Sequence, residues 1–244
     1  MSGAVLIHGA TGGVGSALAR RLAAQGRPVF LAARDGGAAA RLAQDVGAAG
    51  FALCDVLDTQ ALEHATRAAA GESGALSGLA FCVGSIQLAP LKRQSRESLR
   101  TALELNAVSA LEAVRVAEPA LRAGQGSVVL FSTIAVAQGF TNHAAISAAK
   151  GAVEGLTRAL AADLAPQVRV NAIAPSLLRT RIAQPFTANV QTAEAIAQLH
   201  PVPRLGEGED PAALAAFLLG SDSGWITGQV LAVDGGRSHV RLKG

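Results

Sequence analysis

The chain has 244 residues, a formal net charge of +3, and 50% hydrophobic, 16% charged and 3% aromatic residues. This length suits one α/β domain whose core is made mainly of aliphatic side chains. Basic residues are scattered apart from a short tail, and a nucleic-acid partner would require a clustered basic face. The tail contains Arg237, His239, Arg241 and Lys243. The composition therefore argues against nucleic-acid binding, while the low charged fraction is consistent with self-association.

Neither a membrane span nor a metal site is predicted from this sequence. No stretch approaches about 18 uncharged apolar residues, the length that a spanning helix needs. Met1 runs almost directly into a strand-like segment without a basic, apolar leader, so the expected compartment is the cytoplasm. Cys54 and Cys82 both lie in apolar runs, where a small buried thiol is favoured over a disulfide or a metal ligand.

Apolar, strand-like runs alternate with helical patterns along the whole chain. The predicted elements, in chain order, are strand Val5–Ile7, helix Val14–Gln25, strand Val29–Ala32, helix Ala38–Val46, strand Gly50–Leu53, helix Leu62–Ala70, strand Gly78–Val83, helix Arg96–Arg122, strand Val128–Phe131, helix Ala144–Leu164, and strands Val168–Ile173 and Val230–Val233. Proline placement puts Pro119 near the end of the fourth helix and Pro166 just beyond the fifth. Continuously apolar strands, each followed by a helix, predict a doubly wound α/β fold: about seven parallel strands with helices on both faces, in one domain over residues 1–244.

Residues 179–204 interrupt this alternation. The segment holds Pro185, Pro201 and Pro203 around a short helical piece. Long excursions of this kind in compact domains usually lie over a ligand, so we predict a substrate lid here. The side chains of residues 184–199 are small and mostly apolar, which favours a modest hydrophobic substrate.

A glycine-rich segment directly follows the first predicted strand. Glycines let the backbone turn tightly and approach a pyrophosphate, and the helix that follows offers free amides and a positive dipole end. An ordinary tight turn between strand and helix is the alternative interpretation. The residues predicted to bind a dinucleotide here are Gly9, Thr11, Gly12, Gly13, Val14 and Gly15.

The ends of the second and third strands carry residues that would contact the adenosine half of a dinucleotide. An acid after the second strand would bind the ribose 2′-hydroxyl of NAD, whereas an arginine suits the 2′-phosphate of NADP. The sequence has Ala33 followed by Arg34, so NADP(H) is favoured, unless Arg34 merely faces solvent. Asp55, followed by Val56, is predicted to bind the adenine amine; its alternative role is a helix N-cap.

Together these residues resemble the short-chain dehydrogenase/reductase family, a Rossmann-type fold, over nearly the whole chain. Asn106, Thr133 and Lys150 fall on the active-site asparagine, serine and lysine of that family. Ile226–Gln229 and Val233–Gly236 match its closing strand. The resemblance implies a small-molecule substrate, a dimer or tetramer built on two long helices, and further cofactor contacts from Val83, Gly84, Lys150, Pro175, Ser176, Leu178 and Thr180.

The departures from the family pattern concern side chains that carry chemistry. The family keeps a tyrosine four residues before the lysine, where this chain has Ile146, and the sequence contains no tyrosine at all. The asparagine-rich turn after the fourth strand is replaced by Phe81–Gly84. Ser176 occupies a position where the family has a glycine, and His8 occupies the position of the threonine that opens the family's glycine loop.

Loss of the tyrosine should weaken the reaction more than cofactor binding. In the family this phenol exchanges a proton with the substrate oxygen, and the nearby lysine lowers its pKa. General acid–base assistance of this kind is typically worth about 10²–10⁴ in rate, and Ile146 offers no proton. Lys150 can still bind the nicotinamide ribose, so binding should persist.

Two interpretations of the site follow. The first is an NADP(H)-dependent oxidoreductase with another proton donor, either His143 or a water held by Thr133, Asn106 and Lys150. His143 lies seven residues before the lysine, a spacing that resembles the enoyl reductase branch, although that branch has a different glycine loop; a solvent-facing histidine at a helix start is its alternative. The second interpretation is a nucleotide-binding sensor or partner subunit without turnover.

Overall fold

All seven strands of the computed structural model, which describes residues 3–241, form one parallel sheet. The strands are β1 Ala4–His8, β2 Val29–Ala33, β3 Gly50–Leu53, β4 Leu76–Phe81, β5 Ser127–Phe131, β6 Arg169–Pro175 and β7 Val230–Val233. Their order in the sheet is β3-β2-β1-β4-β5-β6-β7, and every neighbouring pair is parallel. The predicted doubly wound α/β fold is confirmed. Lys243 of the basic tail, and Met1, lie outside the described residues.

Ten α-helices in this part of the chain connect and flank the strands. They are α1 Gly13–Ala24, α2 Gly36–Val46, α3 Thr59–Ala70, α4 Arg96–Leu103, α5 Ser109–Gly124, α6 Ala135–Gln138, α7 Ala144–Leu164, α8 Gln184–Thr187, α9 Val190–Ala197 and α10 Glu209–Leu218. The single helix predicted over Arg96–Arg122 is wrong in one respect, because a π-helical segment, Glu104–Val108, separates α4 from α5. Pro119 lies inside α5, and Pro166 follows α7 as predicted.

The inner strands of the sheet are buried on both faces because they are continuously apolar, whereas the edge strands β3 and β7 are partly exposed. In β1, Leu6 faces a core cluster shared with α3, α5 and α7, whereas Val5 and Ile7 face a second cluster with α1 and α10. All three side chains have no exposed surface. Burial of each aliphatic side chain of this size stabilises the fold by about 1.5–3 kcal/mol, so the core fixes the strand register beneath the site.

The strand order places the candidate site. From β1 the chain moves first outward to β2 and β3, and then returns to pair β4 on the other side of β1. This change of direction leaves a crevice beyond the carboxyl ends of β1 and β4, the position where open α/β sheets bind ligands. The loops after β1, β4, β5 and β6 all reach that edge. No helix among residues 3–241 has the length and hydropathy to cross a lipid bilayer.

The predicted lid segment, residues 179–204, contains α8 and α9. Ala193 and Ala197 of α9 pack with Leu205 in a small separate cluster, against Leu177. The segment is therefore anchored to the chain just after β6. Its role over a substrate stays a prediction.

Candidate active site

The glycine loop after β1 is shaped by contacts that exclude side chains. Gly9 has φ of +72°, and a Cβ there would lie 2.9 Å from the carbonyl oxygen of Cys82. A Cβ on Gly15 would overlap the Gly9 carbonyl oxygen. Gly12 caps α1 without any side-chain hydrogen bond, so no side chain of the cap occupies the first amides of this helix. The first amides of α1 therefore have no side-chain partner from the cap, and amides at such helix ends are the groups that bind anions.

The segment after β6 lies directly over this loop. A Cβ on Gly13 would lie 2.6 Å from Cγ2 of Thr180, so the glycine is required for the close approach of the two segments. The amide of Thr180 donates to the carbonyl oxygen of Leu178 at 2.9 Å. Pro175 at the end of β6 accepts a hydrogen bond from the amide of Ile134 at 3.2 Å. Of the predicted cofactor-covering residues, the structure therefore brings Thr180 against the glycine loop.

Arg34 and Asp55 lie at the ends of β2 and β3, and both side chains are exposed. Within residues 3–241, Arg34 has no carboxylate within ion-pair distance. Asp55 accepts a hydrogen bond from the amide of Leu57 at 3.1 Å. The N-cap of α3 is Asp58, so the alternative role of Asp55 as that cap is wrong. The side chain of Val56 is buried in the core.

Lys150 is a buried ammonium on α7. Its Nζ donates to the carbonyl oxygen of Phe131 at 2.8 Å, and only 7% of the residue is exposed. Desolvation lowers the pKa of Lys150 to about 8, against a raising influence of Cys82. No carboxylate lies within ion-pair distance in the described part of the chain. Because an ammonium has three donors, two protons remain for a ligand.

Asn106 lies beside Lys150. It sits in the π-helical segment, a deviation that is frequent at functional sites. Its Nδ2 donates to the carbonyl oxygen of Ala102 at 2.9 Å and to Ser85 Oγ at 3.2 Å. A Cβ on Gly84 would lie 3.0 Å from Asn106 Oδ1 and 3.2 Å from Lys150 Nζ. Gly84 therefore leaves the space on which both polar groups converge.

Thr133 provides the accessible hydroxyl after β5. Its Oγ1 accepts from the amide of Ala135 at 3.3 Å at the start of α6, so its proton is free to be donated elsewhere. The neighbouring Ser132 is buried, and its hydroxyl donates to Glu154 Oε1 at 2.8 Å. Of the two consecutive hydroxyls, Thr133 is the one available to a substrate oxygen.

Ile146 lies one helical turn before Lys150 on the same face of α7, and only 4% of it is exposed. The half-buried His143 precedes the first residue of α7. Its Nδ1 donates to the carbonyl oxygen of Thr141 at 2.7 Å, and its ring meets Phe140 edge-on at 5.5 Å. In the neutral ring Nε2 is then an acceptor, so His143 can donate a proton from Nε2 only when the ring carries both protons.

Comparison with known proteins agrees with this geometry. The family model described as Enoyl-(Acyl carrier protein) reductase matches residues 9–238, which is most of the chain. The chain belongs to the short-chain dehydrogenase/reductase family. The family uses nicotinamide cofactors, and the relatives that match this chain include oxidoreductases.

Several members of the family resemble this chain over almost its full length. Trans-4-hydroxycyclohexanecarboxylate dehydrogenase from Sinomonas cyclohexanicum is 33% identical over 246 residues, covering 96% of this chain and 92% of that protein. The 3-oxoacyl-(acyl-carrier-protein) reductase MabA of Mycobacterium bovis is 30% identical, over 97% of this chain and 93% of its own. The solved structure of a short-chain type dehydrogenase/reductase from Mycobacterium ulcerans has a TM-score of 0.91 and 30% identity, covering 99% of this chain and 91% of its own.

One cluster in this short-chain dehydrogenase/reductase was not predicted from the sequence. The Ser176 hydroxyl donates to Nε2 of the buried His200 at 2.8 Å, while His200 Nδ1 lies 3.0 Å from the carbonyl oxygen of Ile196. Arg237 Nη1 lies 3.5 Å from the same serine oxygen. The three residues come from the turn after β6, the lid segment and the tail, and no periodic signal connects them. Only the tertiary structure brings them together.

His8 lies at the end of β1, under the glycine loop. It has no exposed surface, and its Nε2 has no hydrogen-bond partner among the described residues. Its ring packs against Phe81 at 5.9 Å, and its Nδ1 lies 3.9 Å from Sγ of Cys54. Burial lowers the pKa of His8 to about 4 and raises the pKa of Cys54 to about 11. Cys54 is thus the small buried thiol that its sequence context predicts, and Cys82 is a free, half-buried thiol.

Proposed function

We propose that this family member is an NADP(H)-dependent oxidoreductase that acts on a small hydrophobic carbonyl or enoyl compound without a tyrosine in its active site. The observation that carries the proposal is the buried Lys150 ammonium, which converges with Asn106 on the space at Gly84. A buried charge without a carboxylate partner costs several kcal/mol. A ribose offers the hydroxyl acceptors that would satisfy the two free protons of Lys150.

The residues present fit a nicotinamide dinucleotide. The loop of Gly12, Gly13 and Gly15 would hold the pyrophosphate. The exposed Arg34, which has no ion-pair partner among residues 3–241, suits a 2′-phosphate. Lys150 would hold the nicotinamide ribose, and Thr180 would cover the loop. When bound, the reduced cofactor supplies a hydride. A reductase of 3-oxoacyl-(acyl carrier protein) and a dehydrogenase of a hydroxycyclohexanecarboxylate among the relatives support a carbonyl or alcohol as the substrate group.

The chain's own residues would stabilise and protonate the substrate oxygen. Thr133 has a free hydroxyl proton, so it would donate a hydrogen bond to this oxygen as negative charge develops there. Ile146 supplies no proton. The proton would come from doubly protonated His143, or from a water held by Thr133, Asn106 and Lys150. This reliance on a substitute donor predicts slow turnover of simple ketones.

The test is steady-state NADPH oxidation with a panel of ketones, quinones and enoyl thioesters. We expect a substrate-dependent rate that is lost in Lys150→Ala and retained in Lys92→Ala, whose lysine is exposed. No substrate-dependent rate across the panel, or full activity in Lys150→Ala, would overturn the proposal.

The second candidate function is nucleotide binding without turnover, as a sensor or as a partner subunit of an active relative. The observation that favours it is the aliphatic Ile146, buried one turn from Lys150 in a chain without tyrosine. Calorimetric titration with NADPH tests whether the protein binds the nucleotide at all. Undetectable binding at millimolar NADPH would contradict this second function. Binding together with measurable turnover would favour the enzyme instead.

We also propose that the protein is a homodimer or homotetramer built on its long helices. Exposed apolar side chains lie along the α4–α5 region, where Leu99, Val108 and Leu111 are 37%, 47% and 39% exposed. Burial of such a row would be favourable. Light scattering coupled to gel filtration tests this proposal, and a monomer at micromolar concentration would contradict it.

A further inference from the structure

The loop after β7 is fixed against the short helix α6. Asp234 accepts hydrogen bonds from the amides of Gly236 and Ser238 at 2.9 and 2.8 Å. Gln138 Nε2 donates to the carbonyl oxygens of Arg237 and Ser238 at 3.1 and 3.3 Å. Gln138 ends the short helix α6, which begins two residues after Thr133. The backbone of Arg237 is therefore tied to the short helix that follows Thr133.

The Arg237 side chain is held by weak contacts alone. Its guanidinium carbon lies 4.8 Å from the centre of the Phe140 ring, a favourable cation–π distance. Nη1 lies 3.5 Å from Ser176 Oγ, and no carboxylate oxygen of residues 3–241 is within ion-pair distance. Partial burial lowers the pKa of Arg237, with the Asp234 carboxylate opposing. A guanidinium stays charged in proteins and has five donors, and within the described part of the chain most of these donors have no partner.

No carboxylate among residues 3–241 contacts the Arg237 guanidinium directly, and the Asp234 carboxylate acts on it from beyond ion-pair distance. The Asp234 carboxylate is occupied by its own loop, and the Ser176 hydroxyl donates to His200. Ser176 directly follows Pro175, whose carbonyl oxygen is bound by the residue after Thr133. The direct contacts of this half-buried cation are an aromatic ring and a neutral hydroxyl, so its free donors can receive an anion.

We propose that Arg237 selects substrates that carry a carboxylate at a distance from the reacting carbonyl. This inference rests on the proposed function and narrows its substrate to an oxo acid or the corresponding hydroxy acid. The planar fork of arginine matches a carboxylate in a bidentate pair, and the Phe140 ring supports the guanidinium face. A single cation matches one negative charge, which favours a carboxylate over a doubly charged phosphate. The carboxylate is unchanged by the reaction.

The test uses binding, so it does not depend on turnover. Cyclohexanecarboxylate and the neutral cyclohexanecarboxamide are titrated calorimetrically into the protein saturated with NADP⁺. We expect the carboxylate to bind more tightly than the carboxamide. Arg237→Met should weaken carboxylate binding by about tenfold or more, because a charge-assisted pair is lost. Arg237→Lys should restore part of the affinity, and Arg67→Met, which removes an exposed arginine on α3, should bind as the wild type does.

NADPH affinity and thermal unfolding of each variant serve as readouts of the cofactor site and the fold. Equal binding of carboxylate and carboxamide by a wild-type protein that binds NADPH would overturn this inference alone. Carboxylate affinity unchanged in a folded Arg237→Met protein would do the same. Absence of NADPH binding to the wild type would overturn the proposed function, and this inference with it.

Turnover adds a second, kinetic readout. For 4-oxocyclohexanecarboxylate, Arg237→Met should raise KM by about tenfold with kcat unchanged, since the carboxylate contact is made equally before and during the reaction. The methyl ester of the same compound should show no change in KM. Equal changes for acid and ester would contradict charge recognition.

Discussion

The two ends of the cleft are built from different parts of the polypeptide. At the cofactor end, Gly9 and Gly15 lie against backbone atoms that leave no room for a Cβ. At the chemical end, Thr133, Ile146 and Lys150 matter through the atoms of their side chains. Binding through backbone atoms tolerates many side-chain substitutions nearby. Chemistry performed by side chains, in contrast, can be changed by a single substitution. On our proposal, the first end binds the cofactor through its backbone, and the second works with a proton donor other than a tyrosine.

The substitution Ile146→Tyr should have the largest effect, because it tests whether the absence of a phenol limits the reaction at the chemical end. A phenol one turn before Lys150 would have its pKa lowered by the ammonium, so NADPH-dependent ketone reduction should rise by about 10²–10⁴. Steady-state rates measure the gain. Ile146→Phe is the matched control, because it adds the ring to this buried position without the hydroxyl. A folded tyrosine variant with no gain would show that more than the phenol is missing from the chemical end.

The buried side chain of His8, which lies under the glycine loop, should make the free energy of unfolding depend on pH. Burial holds the pKa of His8 at about 4, below its ordinary 6.5, so the unfolded chain binds this proton first as pH falls. The contribution of neutral His8 is complete above pH 6.5 and is lost progressively down to about pH 4. At about 1.4 kcal/mol for each pKa unit, the loss is on the order of 3 kcal/mol. Urea unfolding at several pH values should show this slope.

His8→Leu should flatten that slope and leave NADPH affinity unchanged, because the loop above it is positioned by its backbone. His64→Leu, which replaces an exposed histidine, should keep the wild-type slope. A large loss of NADPH affinity in a stable His8→Leu protein would mean that the cofactor end does depend on this side chain.

Gly15→Ala attacks the cofactor end directly. Its new Cβ overlaps the Gly9 carbonyl oxygen, and overpacking of this kind costs about 1–3 kcal/mol. We expect NADPH affinity measured by calorimetry to fall by about 10- to 100-fold. Gly155→Ala is the control, because a Cβ there meets nothing within 4 Å and alanine favours the helix interior. Wild-type affinity in Gly15→Ala would contradict the role of this loop.

The smallest effect on affinity is expected at Arg34. This residue would distinguish NADPH from NADH through the 2′-phosphate and would not contact the part that the two nucleotides share. Arg34→Ala should weaken NADPH binding by about tenfold, since one charge-assisted contact to the 2′-phosphate is lost. NADH binding should stay the same. An equal loss for both nucleotides would show that Arg34 does not read the 2′-phosphate.

The difference between the two ends also explains what the sequence could predict. Continuous apolar runs in the sequence predicted all seven strands, and the cluster of glycines predicted the loop over Gly9–Gly15. The structure shows that several of these glycines lie where a Cβ would not fit. The interruption of the predicted helix at Glu104–Val108 has no signature in hydrophobic spacing, because a π-helical turn changes the hydrogen bonding rather than the residue types. The contacts of Arg237 with Phe140 and of Ser176 with His200 join segments far apart in the chain, so local patterns could not indicate them.

A crystal structure of the protein with NADP⁺ tests the central claim most directly. The pyrophosphate should lie on the first amides of α1, beside Gly12 and Gly13, and the nicotinamide ribose should accept hydrogen bonds from Lys150 Nζ. The side chain of Ile146 should then face the nicotinamide without any polar atom at its position. Adenine and phosphates bound elsewhere, or a glycine loop that stays free at saturating NADP⁺, would contradict the account.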